Sequence, residues 1–292
     1  MLKGIILDFV MGNGPSEVPY VKDFIRSLEE AGLKLVFASS SLRQNTASDL
    51  FLPATEELGL SPEECLVITD TEAGTMAAKA ANLPCIGFVN SSSGTRNLSR
   101  AYALLEGFEN ADVDYLRRTH AHALSEPAVI LETTRLLVRE LSAEEFPTLY
   151  TMCSHPETSV WMEEVLSDYE TEKEKHLAYC SHVYPLFDLA LWGIYEKETH
   201  RLIGRGGFSL PENDSDTYFL GYLIDVPYRN RDYAKECVPM LLSYAKKQGY
   251  TTILTKIKKQ NTASLNVLKA CGYPYHREAE SPDGILLYRI NL

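Results

Sequence analysis

The sequence predicts two domains of different class: an α/β domain built as a parallel three-layer sandwich, then an α+β domain with a mixed, mainly antiparallel sheet. Three observations carry this. The chain has 292 residues, and single hydrophobic cores rarely grow beyond about 250. Its first part alternates short apolar runs with amphipathic stretches at the length of βαβ units, which calls for a parallel sheet with helices on both faces. From Val129 that rhythm stops, and apolar strands follow one another across polar turns, as in an antiparallel sheet. The boundary falls at Ser125-Glu126-Pro127, dividing the chain into residues 1–125 and 126–292.

In the first domain, Lys3 to Phe9 reads as a buried parallel strand. Gly12, Asn13, Gly14 and Pro15 break the chain. Tyr20 to Ala31 carries Val21, Phe24, Ile25 and Leu28 at helical spacing, and Gly32 stops it. Leu33 to Ala38 is the next strand, ending in Ser39-Ser40-Ser41. Ser48 to Leu58 is helical, Cys65 to Thr69 a third strand, Glu72 to Asn82 a helix and Pro84 to Val89 a fourth strand. Asn90 to Arg100 is a polar loop in which Leu98 opens a helix. The stretches 101–108 and 112–124 complete the domain. His120 and His122, two apart, do not share a helix face, which argues against a metal pair.

Ligands of open α/β sheets sit at the carboxyl ends of the strands. Those ends carry Asp8, Ser39 and Asp70. Two carboxylates and a hydroxyl there suit Mg²⁺ and a phosphate; the same residue types also simply end strands and cap helices. The stretch LSPEECLVITDTEAGTMAAKAANLPCIGFVN, with LDFVMGN and VFASSS, resembles the haloacid-dehalogenase-like (HAD) superfamily, in its β-phosphoglucomutase-like branch. That resemblance implies a vestigial metal site at Asp8 and Asp70 and a phosphate position at Ser39. The departures imply lost phosphatase activity. Val10 stands where the family has its acid/base Asp, and a valine transfers no proton. The family's Lys has no counterpart at Leu50-Phe51-Leu52-Pro53. Too few residues follow Gly14 to form the family's cap, so water is poorly excluded.

In the second domain, Ile130 to Leu141 reads as one long strand and Ala143 to Met152 as a helix. Tyr169 to Val183 is a helix with a solvated, mixed-charge face. Leu189 to Tyr195 and Leu202 to Phe208 form an antiparallel pair around Glu198-Thr199-His200, and Glu212 to Asp216 is a hairpin loop. Then comes the stretch that organises this half: a strand from Tyr218 to Val226, a basic turn, a helix from Ala234 to Gln248, a strand from Thr252 to Ile257 and a helix from Ala263 to Ala270. Ile285 to Ile290 is the last strand. A helix opening from a tight basic turn holds phosphate on its free amides and dipole.

ILETTRLLVREL, LIGRGGF, LGYLIDVPYRNRDYAKE and NTASLNVLKACGY, in that order, resemble the GCN5-related N-acetyltransferases (GNAT), in the branch acetylating ribosomal-protein N-termini. The resemblance implies acetyl-CoA as cofactor. It places cofactor contacts at Ile224 and Val226, at the turn Arg229, Asn230, Arg231, Asp232, Tyr233 and Ala234, and at Asn261 and Ser264. The plain alternative for Asn261 and Ser264 is helix capping. Asp232 stands where the family has Gly, which lets backbone approach phosphate. Its charge either opposes the pyrophosphate, at a cost of about tenfold in affinity, or turns outward to cap the helix. Leu268 replaces a Tyr that protonates the leaving thiolate in some relatives. Tyr222 and Asp225 are the catalytic candidates near the acceptor amine, with core packing the alternative for Tyr222.

A formal net charge of -12 argues against general nucleic-acid or anionic-membrane binding. The six cysteines are scattered without a CxxC pair, and four of them sit in apolar surroundings and read as reduced core residues. MLKGIILDFV is too short and too soon acidic for a signal peptide, and no apolar run reaches the ~20 residues of a membrane helix. These features point to a cytoplasmic acetyltransferase with acetyl-CoA and an amine acceptor as partners and homo-oligomerisation left open. A bifunctional enzyme with a Mg-dependent phosphatase half, and a non-catalytic CoA- and phosphate-binding protein, are the alternatives.

Overall fold

The computed structural model describes residues 1–9, 19–38, 50–89, 97–109, 111–162, 166–187, 189–209 and 217–292. They form two compact units, Met1–Ala128 and Val129–Leu292. No helix among the described residues is long and apolar enough to cross a membrane.

The first unit runs β1 (Gly4–Asp8), α1 (Val21–Glu30), β2 (Lys34–Ala38), α2 (Leu52–Leu58), β3 (Cys65–Thr69), α3 (Glu72–Ala80), β4 (Cys85–Phe88), β5 (Ala103–Leu105) and α4 (Val113–Ala123). Its five strands are all parallel, in the order β2-β1-β3-β4-β5. Strand pleating sends successive side chains to opposite faces. Ile5 and Leu7 of β1, with Leu66 and Ile68 of β3, pack under Phe24 and Leu28 of α1 and Leu116 of α4. Ile6, Cys65 and Val67 pack on the other face against Ala54 and Leu58 of α2 and Ala77 and Ala78 of α3. Both faces are covered, as the alternating sequence requires. Two local readings change. The segment from Leu98 forms turns rather than a helix, and Ala103–Leu105 adds a fifth, edge strand. Three residues with one inward side chain carry too little pattern to be read as a strand.

The second unit runs β6 (Val129–Glu132), β7 (Leu136–Arg139), a 3₁₀ turn, α5 (Phe146–Ser154), α6 (Pro156–Ser159), α7 (Tyr169–Ala178) with a π turn to Val183, β8 (Leu191–Glu196), β9 (Arg201–Ser209), β10 (Phe219–Ile224), α8 (Tyr233–Lys247), β11 (Thr252–Lys258), α9 (Thr262–Ala270), β12 (Tyr275–Glu280) and β13 (Ile285–Asn291). One eight-stranded sheet has the order β12-β13-β11-β10-β9-β8-β7-β6. Trp192, Ile194, Phe208, Leu220 and Ile224 point to the face covered by Val238, Leu241, Leu242 and Ala245 of α8. On the other face Leu141, Tyr195 and Leu223 meet Leu149 and Cys153 of α5.

The expected single strand from Ile130 to Leu141 is a hairpin, with β6 and β7 antiparallel. Its turn has neither Gly nor Asn. It is closed by Thr133, whose amide donates to Leu136 O at 2.8 Å and whose hydroxyl oxygen accepts from the Leu136 amide at 2.9 Å. A Thr closing a turn by its side chain is hard to distinguish from a Thr in a strand. Strand β12 was also not anticipated. All six of its residues are exposed, so no apolar alternation marks it.

Every pairing in this sheet is antiparallel except that of β10 with β11. These two parallel strands share one register pair, Phe219 with Leu254, and then separate. The divergence creates the cleft described next.

Candidate functional site

Residues from β10, β11, α8 and α9 surround the point where the two parallel strands part. The Leu254 amide bonds Tyr218 O at 2.9 Å, and Thr255 Oγ1 donates to Leu220 O at 3.1 Å. Beyond these bonds the strands no longer pair. A small cavity opens there, lined by Leu220, Tyr222, Thr255, Ser264 and Leu268 among others. Tyr222 is a half-buried residue whose hydroxyl is fully buried without a hydrogen-bond partner among the described residues. Burial pushes its pKa up to about 12, against a smaller opposing effect of the neighbouring Ser264. At neutral pH it is therefore a phenol, a proton donor rather than a base. An unsatisfied buried hydroxyl costs about 1–3 kcal/mol, which marks a place prepared for a polar partner.

The turn after β10 is built almost wholly by its own backbone and neighbours. Asp225 caps a 3₁₀ turn, Val226–Tyr228, by accepting from the Val226 amide at 2.8 Å. Ile224 is buried, and its carbonyl accepts from Arg229 Nε at 2.9 Å. Asn230 (φ 59°) and Asp232 (φ 61°) are left-handed, a region Asn and Asp tolerate better than most residues. Asp232 therefore takes the backbone geometry that the family's Gly would take. Its side chain is exposed and bonds Lys235 Nζ at 2.7 Å. That hydrogen bond and charge hold its carboxyl below the usual range. It turns outward, but it does not cap: no side chain caps the first turn of α8. The amides of Tyr233, Ala234 and Lys235 have no intrahelical acceptor either, the first such bond being from Glu236 to Asp232 O at 3.0 Å, and the helix dipole adds positive potential there.

Two carboxylates that sequence patterns missed hold this helix end. Tyr233 is buried and donates its hydroxyl to Glu196 at the end of β8, which also accepts from Thr199. Glu236 accepts from Thr133 Oγ1 at 2.5 Å, from the Arg135 amide at 2.9 Å and from Arg135 Nε at 2.6 Å. Partial burial, which would raise the Glu236 pKa, is outweighed by these three donors and the Arg135 charge, and the net shift is downward. Arg135 also donates to Arg231 O at 3.0 Å and lies over the Tyr233 ring. The Arg231 guanidinium lies over Tyr228. Glu236 stands 103 residues from Thr133 and 101 from Arg135, and Tyr233 37 from Glu196, so no local motif announces them.

Asn261 caps α9, accepting from the Ser264 amide at 3.1 Å. The structure thus gathers Tyr222 and Ser264 at the cavity. Asp225, Asn230, Arg231 and Asp232 lie in the turn, while Val226 opens the 3₁₀ turn and Ala234 lies in the first turn of α8. The side chains of Arg229 and Tyr233 are engaged with protein partners.

In the first unit, Asp8 sits at the end of β1, fully buried and in register with Thr69 of β3. This is where the order reverses, with β2 on one side of β1 and β3 on the other. Thr69 Oγ1 donates to Asp8 Oδ2 at 2.7 Å, and Thr71 Oγ1 lies 3.5 Å from the same oxygen. Thr71 also caps α3 through the Gly74 amide. A Cβ on Gly74 would fall 2.1 Å from Thr69 Oγ1 and 2.6 Å from Asp8 Oδ2, so the cluster needs a glycine there. Asp70 is buried beside it. No group of three or more His, Cys, Asp or Glu able to hold a metal forms among the described residues. Ser39 and Val10 lie outside the described residues.

Comparison with known proteins finds similarities for this chain. Residues 135–274 match the family model described as an acetyltransferase (GNAT) domain. The chain is 25% identical over 154 residues to an uncharacterized N-acetyltransferase, p20, of Bacillus licheniformis, covering 49% of this chain and 81% of that protein. It is 33% identical over 104 residues to a putative phosphatase, YhcW, of Bacillus subtilis, covering 26% of this chain. The chain spans 47%, about half, of that relative's length. A GNAT-family acetyltransferase from Bacillus anthracis superposes with a TM-score of 0.47 at 19% identity, covering 56% of this chain and 96% of that one. Residues 135–274 of this chain are thus similar to a GNAT acetyltransferase domain.

Proposed function

We propose that the second unit moves an acetyl group from acetyl-CoA to a primary amine, on a protein N-terminus or a small molecule. One observation carries the reading: the first turn of α8, without a side-chain cap, stands beside the split between β10 and β11. The amides of Tyr233 and Ala234 suit the cofactor's pyrophosphate. The strand end Ile224 to Val226 and the cavity by Tyr222 and Ser264 suit its thioester arm, and Asn261 orders the helix behind it. Bound there, the cofactor supplies an activated acetyl group. The chain's own part is to orient the reactants and offer donors to a developing charge; the Tyr222 hydroxyl is a free donor there.

Isothermal titration with acetyl-CoA tests this. Binding in the micromolar range is expected, and no heat at millimolar acetyl-CoA defeats it in favour of a non-binding scaffold. Binding without acetyl transfer to any of a panel of peptide N-termini and polyamines favours the non-catalytic CoA-binding alternative.

For the first unit we infer a HAD-like domain without phosphatase activity. The parallel sheet, Asp8 at its switch point and the likeness to a putative phosphatase support the family. Val10 and the two threonines occupying one Asp8 oxygen support the loss of activity. A Mg²⁺-dependent aryl-phosphatase assay should read background. Activity abolished by Asp8→Asn would establish the bifunctional alternative.

A further inference from the structure

The basic turn contains an arginine with an unexpected set of partners. Arg229 Nε donates to Ile224 O at 2.9 Å. Its two terminal nitrogens reach away from α8, to Glu157 O at 3.2 Å and to Thr158 Oγ1 at 2.6 Å. The Glu157 carboxylate lies 3.8 Å away. Thr158 is buried. At the end of β11, Lys258 Nζ donates to Val160 O at 2.8 Å and to Met162 O at 3.0 Å. One cation follows the 3₁₀ turn after β10 and the other is the last residue of β11, and they fasten the same short segment, residues 155–162. Strands β10 and β11 are parallel and paired only at their starts. Both cations stand at or just past the strand ends, where the cleft is open. The segment they hold therefore spans the mouth of the cleft.

We propose that Arg229 and Lys258 are positioning residues that strap residues 155–162 across this mouth, and that Arg229 is not a ligand of the cofactor's phosphates. The proposal rests on the acetyltransferase reading, because the strapped segment then forms the rim past which the acceptor amine approaches. It assigns the phosphates to backbone amides and leaves the turn's best-placed arginine to the acceptor side. Loss of the strap leaves acetyl-CoA affinity intact and loosens the rim.

Hydrogen exchange read by mass spectrometry, paired with acetyl-CoA titration, tests this on the full chain. Within the segment, amides of Thr158, Ser159, Trp161 and Met162 bond local carbonyls and give protected sites to follow. In Arg229→Ala, exchange across 155–162 should rise about tenfold, the loss of a charged hydrogen bond, while the acetyl-CoA Kd stays within about twofold. Thr158→Val, which changes no residue of the 229–234 turn and removes only an acceptor of Arg229, should raise exchange in the same segment and serves if Arg229→Ala does not fold. Unchanged exchange in both variants, or acetyl-CoA binding weakened tenfold or more in Arg229→Ala, overturns the proposal. A wild-type chain that fails to bind acetyl-CoA instead refutes the acetyltransferase reading, and the exchange result still decides the strap.

Discussion

Asp232 shows how a single side chain sets the terms of a site. Its backbone adopts the left-handed conformation that a glycine would take freely, and its carboxylate pairs with Lys235 in solvent. The helix start is thus formed correctly, yet a negative charge sits beside the amides that would meet a pyrophosphate. Asp232→Gly should keep the turn and tighten acetyl-CoA binding by about threefold to tenfold, read by titration; an unchanged or weaker Kd would show that Lys235 already cancels the charge. At the same scale, Tyr222 and Leu268 occupy one cavity with opposite chemistry. The phenol is the polar group there, and its raised pKa keeps it protonated over the working range. The cysteines add no competing nucleophile. All six are free, and burial holds the thiols of Cys237 and Cys271 up, to about 12 and about 11.

The start of α8 depends on contacts from elsewhere in the sheet. Glu236 joins it to the β6–β7 turn, and Tyr233 joins it to the end of β8. Glu236→Ala removes an acceptor for three donors and should cost about 1 kcal/mol, after discounting for the exposure of Arg135. It should also weaken acetyl-CoA binding several-fold by loosening the amide cradle, seen in a lower thermal midpoint and a higher Kd together. A midpoint shift with no change in Kd would separate the anchor from the site. The elements that frame the cleft were legible in sequence because each carries its own pattern: β11 alternates buried and half-buried residues along its length, and Asn261 stands where a helix cap must stand. The anchors were not. Glu236 looks like any first-turn acid, and its meaning lies in Thr133 and Arg135 on a turn itself concealed by the absence of Gly or Asn. Arg229 has partners that its place in a basic turn does not announce: they lie 71 and 72 residues away.

At the scale of the whole molecule, the two units answer to different perturbations. His120 in the first unit is buried and bonded to Glu63 O at 2.9 Å. Burial lowers its pKa, only partly offset by that bond. Above about pH 6.5 it is neutral folded and unfolded. As the pH falls below that value, the unfolded chain takes up a proton that the folded site resists, and stability is lost until the lowered folded pKa is passed. Protection factors of the β3 amides, which allow for the slower intrinsic exchange at low pH, should therefore fall from pH 7.5 to pH 5.5, and His120→Gln should flatten the difference. The second unit holds a feature with a different consequence. Its eight strands hang together at the middle by a single parallel rung, with five antiparallel strands, β6 to β10, on one side and three, β11 to β13, on the other. Such a seam divides the hydrogen-bonded ladder into two blocks that meet in one core, and local opening is expected to start there. Without acetyl-CoA, native-state exchange under mild denaturant should resolve two isotherms in this unit. A ligand lodged in the seam replaces the missing rungs, and with saturating acetyl-CoA the two isotherms should fuse into one.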